Sequence, residues 1–361
     1  MSGRDAGREH AGTGEADAGR TSAGETGAGE TGAAESPEQI LLGYDPFARA
    51  ALEPFGFSGE ARLELLSLSE NATYRIDDPA ASRTAVLRVH HTGYHPPGAV
   101  ASELAWLQAL RRDEGLLTPA VYPAADGREV VDITIGNLTR QTVLFEWLPG
   151  TEPHEDHLTE KFELLGEICA RMHRHSRAWL RPPGFVRFDW DFDCCVGDTP
   201  RWGRWQDGMG VGPEELNTLT RAAALMRQRL ASYGRGEDRF GLIHADVRLA
   251  NLLADGDDIQ VIDFDDCGFG WFMFDLATAV SFMEHDPRVP ELCDAWVRGY
   301  RRVLPLPAAD EAEIPTFVLL RRLQLVAWVG SHRFADAALE LGAEFTTGCC
   351  EIAERYLATA G

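Results

Sequence analysis

Residues 243–253 read Ile-His-Ala-Asp-Val-Arg-Leu-Ala-Asn-Leu-Leu, and residues 259–266 read Ile-Gln-Val-Ile-Asp-Phe-Asp-Asp. His244, Asp246 and Asn251 have the spacing H-x-D-x-x-x-x-N, and Asp263 follows twelve residues after Asn251. In kinase-type sites the Asp of this pattern accepts the proton of the attacking hydroxyl, while the Asn and the later Asp bind the metal ions that neutralise ATP phosphates. The spacing therefore predicts Asp246 as the catalytic base and Asn251 and Asp263 as metal ligands.

The surrounding residues predict a hairpin that brings these side chains together. Phe240-Gly-Leu-Ile reads as a short strand before the motif, and two apolar stretches flank Asp255-Gly256-Asp257, a good turn sequence. Pairing across this turn places Asp246, Asn251 and Asp263 at one end of the hairpin. Oxygen ligands that converge in this way suit Mg²⁺.

Two further acids follow the predicted metal ligand. Asp265 shares a face of the extended segment with Asp263, so we expect it to be an additional metal group or to support one. Asp266 points the other way, towards substrate or a helix N-terminus. Plain solvation is an equal alternative for both residues.

A phosphate-binding cation is predicted on the third strand. Arg88 occupies Val-Leu-Arg-Val, and Glu103 lies on the next predicted helix. An ion pair between a strand cation and a helix Glu orients the nucleotide phosphates in kinases, and an Arg supplies a forked donor for this role. Lys161 is the only Lys in the chain and belongs to a later helix. The alternative for Arg88 is an ordinary surface position.

Strand patterns precede the motif, and helix patterns surround it. Period-two alternation predicts strands, and the spacing of apolar residues predicts one helix after the third strand. The predicted strands cover residues 62–68, 73–76, 84–89, 129–135 and 141–147, and the helix covers 99–110. After Pro149 the predicted helices cover residues 159–180, 213–233, 273–285, 288–303, 313–329 and 331–358.

Two irregular stretches contribute further candidate contacts. The turn between the first two strands has no Gly, so we expect phosphate contacts from Ser69, Asn71 and few backbone amides. Residues 181–212 are rich in Trp, Pro and Gly. Trp202 and Trp205 from this stretch, with Asp266 and Trp271, are the predicted walls of an acceptor pocket near the helix that carries Arg321. Core packing of the Trp residues is equally compatible with the sequence.

Composition excludes several classes of function. The net charge of −23 disfavours nucleic acid and anionic membrane surfaces as partners. Seven Cys without a CxxC pair, and no run of 18 apolar residues, predict reduced thiols in a cytoplasmic protein. Residues 1–36 form a Gly/Ala/Glu-rich stretch with too few apolar residues for a core, and we expect this tail to be disordered.

The chain resembles the aminoglycoside phosphotransferase, choline kinase and homoserine kinase superfamily over about residues 62–335, near its bacterial stress-response kinase branch. The stretches 244–251, 262–266 and 274–277 resemble the family's motifs most strongly, and two departures are Arg88 in place of Lys and Ala245 where many members have Gly. The resemblance implies an α+β, bilobal, protein-kinase-like fold. Its small N-lobe has an antiparallel sheet and one helix, and its larger C-lobe is mainly helical.

The resemblance also implies boundaries, cofactors and an activity. Residues 37–148 form the nucleotide-binding N-lobe and residues 149–361 the catalytic C-lobe, with ATP at a hinge that includes Glu146 and Leu148. We expect an ATP- and Mg²⁺-dependent phosphotransferase that acts on a hydroxyl of a small amino alcohol, aminoglycoside-like compound or amino acid. The alternatives are a protein Ser/Thr kinase, a catalytically silent nucleotide-binding regulator and, on the Asp263-x-Asp265 spacing, a phosphatase.

Overall fold

The computed structural model describes residues 43–69, 71–153, 157–256, 258–333 and 335–360. The predicted tail of residues 1–36 lies outside the described residues. Within them, a sheet-containing N-terminal lobe precedes a larger helical lobe, as the resemblance implied.

The N-lobe is built on an antiparallel sheet. Its strands are β1 Arg62–Leu68, β2 Asn71–Asp78, β3 Arg83–His90, β4 Val121–Tyr122, β5 Val131–Ile135 and β6 Leu138–Glu146. They have the order β1-β2-β3-β6-β4, and β5 also pairs with β6. The alternation of buried and partly buried residues along β2 shows why a period-two sequence forms a half-buried strand here. All five predicted strands are confirmed within a few residues at either end, and the short β4 was not predicted.

Two helices pack on this sheet. Helix α1, Asp45–Ala51, was not predicted, and its Phe47 and Ala48 are buried with residues of β2, β3, β5 and β6 in a small separate core. Helix α2, Ala99–Ala109, begins after Gly98, whose φ of 85° requires a residue without Cβ strain. Because Glu103 is fully buried on α2, its side chain faces the protein interior.

The C-lobe is mainly helical. Its helices are α3 Leu158–Ala178, α4 Phe192–Cys195, α5 Pro213–Tyr233, α6 Phe272–Ala279, α7 Val289–Tyr300, α8 Ala308–Glu311, α9 Ile314–Ser331, α10 Asp336–Leu341 and α11 Glu344–Ala360. Helices α3 and α7 approach so closely that a Cβ on Gly299 would overlap the carbonyl oxygen of Glu163. The interface therefore requires Gly at this position.

Short strands position the motif. Strand β8, Phe240–Ile243, precedes it, and β9, Leu252–Asp255, pairs with β10, Asp258–Val261, as the predicted hairpin. Strand β11, Gly268–Trp271, lies between β8 and β7, Asp189–Trp190. These pairings fix both ends of the 244–251 loop.

Two helix predictions were wrong. The helix expected over residues 273–285 ends at Ala279, and Phe282 beyond it has a φ of 71°, outside the right-handed helical range. The single helix expected over residues 331–358 is divided into α10 and α11, because Gly342 has a φ of 52° and interrupts the helical backbone. Among the described residues, no helix combines the length and apolar character needed to cross a membrane.

Candidate active site

A cavity of about 750 Å³ separates the two lobes beside the motif. The N-lobe contributes Ser69 and Arg88, the connecting strand ends at Glu146, and the C-lobe contributes Asn251 and Asp263. Further apolar lining comes from the residues Leu65, Val86, Leu107, Phe145, Trp147, Leu148, Leu253 and Ile262. An apolar slot with charged groups at one end suits a nucleotide, since the base is planar and the phosphates are anionic.

The structure brings the predicted base and one predicted metal ligand together. The side-chain amide of Asn251 donates to Oδ2 of Asp246 over 2.7 Å and to the Asp246 carbonyl over 2.8 Å. The backbone N–H of Ile262 donates to the Asn251 carbonyl over 3.0 Å. The hairpin therefore ties the loop that carries Asp246 to the strand that leads to Asp263.

A buried carboxylate, which was not assigned to the site from the sequence, anchors the loop that carries Asp246. Asp275 on α6 accepts backbone N–H bonds from His244 over 3.2 Å and from Ala245 over 2.7 Å, and its Oδ2 lies 2.9 Å from His173 Nε2. Ala245 has a φ of 67°, which is unfavourable for a residue with a Cβ. Gly, which the family resemblance implies for many members at this position, adopts this backbone conformation without strain.

Arg88 lies among three carboxylates. Its Nη1 is 2.7 Å from Glu103 Oε1 and 3.4 Å from Asp265 Oδ1, and its Nη2 is 2.9 Å from Asp263 Oδ1. The predicted strand–helix ion pair is therefore present, and the same guanidinium also contacts the loop that carries the predicted metal ligands. Three carboxylates around one guanidinium leave a net charge of −2. Although the Asp263 side chain is 48% exposed, this excess of negative charge favours a further cation in this region.

Asp263 has features of a metal ligand. Its φ of 61° is strained for a non-Gly residue, and such strain is frequent at functional sites. Partial desolvation of this half-exposed side chain raises the pKa of its carboxyl, and the charges of Asp265, Glu103 and Asp246 add to this effect against the opposing effect of Arg88. A divalent cation beside Asp263 would relieve this repulsion.

The Asp265 carboxylate is directed towards the N-lobe. His95 Nε2 lies 2.9 Å from Asp265 Oδ1, and His90 Nδ1 lies 3.4 Å from the same oxygen. The three side chains place potential ligand atoms within 4.8 Å of one another. Arg88 Nη1 lies 3.4 Å from the same Asp265 oxygen, and its positive charge disfavours a metal ion bound by these three side chains. The two His residues therefore serve as contacts between Asp265 and the N-lobe.

Asp266 also contacts the segment between β3 and α2. The Tyr94 hydroxyl donates to Asp266 Oδ1 over 2.6 Å, and Trp202 Nε1 donates to the Tyr94 hydroxyl over 3.1 Å. The guanidinium of Arg321 lies 5.1 Å from the Trp202 ring centre. Two of the four predicted acceptor residues, Asp266 and Trp202, thus belong to one chain of contacts that ends beside Asp246.

The other two predicted acceptor residues lie in packed interior positions. Trp271 donates from Nε1 to the Gly234 carbonyl over 2.8 Å, and its ring packs on Phe240 and Phe317. Trp205 is buried in a 3-10 turn that packs against α9. The two side chains therefore pack in the core, which is the alternative to a pocket wall that the sequence left open.

The predicted turn residues have different environments. Ser69 lines the cavity, and its backbone N–H donates to the Asn71 carbonyl over 3.0 Å. The Asn71 side-chain oxygen accepts the His91 backbone N–H over 3.1 Å. At the hinge, Glu146 Oε2 accepts the Ala120 backbone N–H over 3.1 Å, so its carboxylate stabilises the strand end that Leu148 follows.

Two arginines bond directly to Asp246, and the sequence did not predict these contacts. Arg248 Nε lies 3.3 Å from Asp246 Oδ2, and Arg321 Nη2 bonds to Oδ1. Burial alone would raise the pKa of Asp246, but the charges of Arg321 and Arg248 hold it below its usual value. Arg248 was detectable as a cation two residues after Asp246, whereas nothing local in the sequence connects Arg321 with the motif.

Comparison with known proteins identifies the chemistry of this arrangement. Residues 63–312 match the family described as "Phosphotransferase enzyme family". The amicoumacin kinase of Bacillus subtilis (strain 168) is 26% identical over 284 residues, which are 74% of this chain and 80% of that protein.

Solved structures share the fold over nearly their whole length. A microcompartment-associated aminopropanol kinase is 51% identical with a TM-score of 0.82, and the match covers 88% of this chain and 98% of that one. The amicoumacin kinase hAmiN, solved with AMP-PNP and Ca²⁺, has a TM-score of 0.72 at 21% identity, with coverage of 88% and 96%. The chain belongs to the phosphotransferase enzyme family and is an ATP-dependent kinase that phosphorylates a hydroxyl group of a small molecule.

Proposed function

We propose that the acceptor is a short amino alcohol of the aminopropanol type. The observation that carries this proposal is the 51% identity to an aminopropanol kinase across 98% of that chain. The segment of chain between Asp263 and α6 also supports a small acceptor. Residues 264–271 include strand β11, which is paired on both edges, so this segment is occupied by the sheet rather than arranged as a docking surface for a protein substrate.

Each side chain of the site then has a defined task. Asp246 orients the acceptor hydroxyl and takes its proton as the oxygen attacks the γ-phosphorus, while the bond from the γ-phosphorus to the bridging oxygen breaks and ADP leaves. Arg88, held by Glu103, contacts the phosphates that are not transferred. Ser69 lies at the turn next to these phosphates, and residues 146–148 contact the nucleotide base of ATP.

The oxygen ligands present fit Mg²⁺. Both described hydrogen bonds of the Asn251 amide nitrogen go to Asp246, which leaves the Asn251 side-chain oxygen for a cation. Asp263 lines the same cavity and supplies a carboxylate oxygen, and Asp265 is an additional candidate ligand only if its contacts to His90 and His95 change. When bound, Mg²⁺ neutralises charge on the β- and γ-phosphates.

A coupled assay of ADP formation tests the acceptor. The panel comprises 1-amino-2-propanol, ethanolamine, homoserine, an aminoglycoside and 1,2-propanediol, with Mg²⁺ and ATP. We expect the highest kcat/KM for 1-amino-2-propanol and at least a tenfold lower value for 1,2-propanediol, which has the hydroxyl but lacks the ammonium group. Equal rates for the diol and the amino alcohol, or a clear preference for the aminoglycoside, would contradict the proposal.

A further inference from the structure

The hydrogen bonds of Asp246 distinguish its two carboxylate oxygens. Oδ2 has two described donors, Asn251 Nδ2 at 2.7 Å and Arg248 Nε at 3.3 Å. Among the described residues, Oδ1 has one donor, the Nη2 group of Arg321. A carboxylate oxygen accepts about two hydrogen bonds. The vacant acceptor position on Asp246 is therefore on Oδ1, beside Arg321.

Exposure supports the same conclusion. The Asp246 side chain is 14% exposed, whereas the Arg321 side chain is 2% exposed. A ligand can therefore reach the carboxylate, but the guanidinium behind it stays covered. Arg321 is on the inner face of α9, and its contacts do not require a bound ligand.

Arg321 is held rigidly. Its Nε donates to the Ser281 hydroxyl over 3.0 Å, and its Nη1 donates to the side-chain oxygen of Gln324 over 3.2 Å. The Trp202 ring covers the guanidinium. Because these two polar partners are neutral and the described ion pair is with Asp246, the arrangement directs the Arg321 charge at the base.

We propose that the acceptor hydroxyl binds Oδ1 of Asp246 and that Arg321 is a positioning residue that fixes this oxygen for proton transfer. With Oδ2 held by Asn251 and Arg248, and Oδ1 by Arg321, the carboxylate plane cannot rotate. Because the carboxylate plane is fixed, Asp246 needs little rearrangement to align the acceptor hydroxyl with the γ-phosphorus. The inference rests on the proposed role of Asp246 as the base.

The next residue along α9 provides a matched control. Arg322 is as buried as Arg321 and also forms an ion pair, with Glu284 Oε2 at 2.6 Å. Its other described bond is to the Phe345 carbonyl over 3.0 Å. Arg322 therefore has the burial and charge of Arg321 without any described contact to Asp246.

The test compares Arg321→Lys and Arg321→Gln with Arg322→Lys and Arg322→Gln. Steady-state kinetics use ATP and the best acceptor of the panel above, and thermal unfolding reports stability. We expect Arg321→Gln to lower kcat by about 10²-fold with the KM for ATP within twofold of wild type, and to lower the ratio of acceptor phosphorylation to ATP hydrolysis. Arg321→Lys should lose about tenfold in kcat, since a point charge cannot reproduce the forked contacts. Both Arg322 variants should keep kcat within about threefold, even where the unfolding temperature falls.

Equal kcat for wild type and Arg321→Lys would overturn the inference, and this outcome can be read even if Arg321→Gln does not fold. Equal losses in the Arg321 and Arg322 variants would also overturn it, because a purely structural role predicts that result. An Asp246→Ala protein assayed in parallel separates this failure from failure of the underlying proposal. If Asp246→Ala kept its turnover, the assignment of the base would be wrong.

Discussion

Asn251 donates a 2.7 Å hydrogen bond from its side-chain amide to Oδ2 of Asp246. This bond joins the proposed proton acceptor to a proposed metal ligand. Because both residues belong to one short loop, which Asp275 anchors through its backbone N–H groups, the two side chains keep a fixed separation.

Removal of the Arg88 charge should weaken nucleotide use. We expect Arg88→Ala to raise the KM for ATP and to lower kcat, since in the proposed mechanism the guanidinium contacts phosphates in both the ground and transition states. Arg88→Lys should recover part of the loss, and Glu103→Gln should give a weaker form of the Arg88→Ala defect. Initial rates over a range of ATP concentrations measure these effects. Unchanged ATP kinetics in Arg88→Ala would leave phosphate binding to another group near Ser69.

Replacement of Asp263 should uncouple nucleotide binding from the metal. We expect Asp263→Asn to fold normally and to lose the Mg²⁺-dependent part of ATP affinity, because an amide is a poorer metal ligand than a carboxylate. Isothermal titration with ATP, with and without Mg²⁺, gives the comparison. Asp258→Asn is the control, since Asp258 is exposed on the same hairpin. Mg²⁺-dependent binding that survives in Asp263→Asn would exclude Asp263 as a principal ligand.

Asp275 should matter for stability as well as for rate. Asp275→Ala leaves two backbone N–H groups and the buried His173 without their acceptor, so we expect a loss of about 3–5 kcal/mol in the free energy of unfolding. Urea unfolding followed by circular dichroism measures it. A loss below 1 kcal/mol would show that the loop does not depend on this carboxylate.

The thiols should react slowly at neutral pH. Burial raises the pKa of Cys350 to about 11, and it also raises the pKa of Cys194. A raised pKa lowers the thiolate fraction at pH 7.5, so alkylation of Cys350 should be about 10²-fold slower than for an ordinary Cys and should rise about tenfold per pH unit up to its pKa. Iodoacetamide labelling at pH 7.5 and 9.5 with mass spectrometry tests this. Rapid stoichiometric labelling of Cys194 and Cys350 at pH 7.5 would show that their partial burial does not raise their pKa.

Sequence reasoning found the parts of the site that are close in the chain or fixed by strand order. The hairpin of β9 and β10 and the pairing of Arg88 with Glu103 follow from turn chemistry and from the order of three strands and a helix. Asp246, Asn251 and Asp263 belong to one motif, so their spacing alone predicted that they converge.

The parts it missed depend on contacts between distant segments. Arg321 is 75 positions from Asp246, and no local pattern distinguishes it from Arg322, the next residue. Trp202 covers the Arg321 guanidinium, whereas Trp205 is buried in the core. The packing of an irregular segment on α9 sets this difference, which no local sequence pattern encodes. The break at Gly342 was missed because the residues on either side continue a helical pattern.

The central claim is that Asp246 receives the proton of a small amino-alcohol acceptor during phosphoryl transfer. Its most direct test is the turnover of 1-amino-2-propanol with ATP and Mg²⁺ by wild type and by Asp246→Ala, with ATP affinity measured on the same samples. We predict formation of phospho-aminopropanol by wild type, and a kcat lower by about 10²–10⁴-fold in Asp246→Ala with ATP affinity retained. Near-wild-type kcat in pure, folded Asp246→Ala would contradict the account.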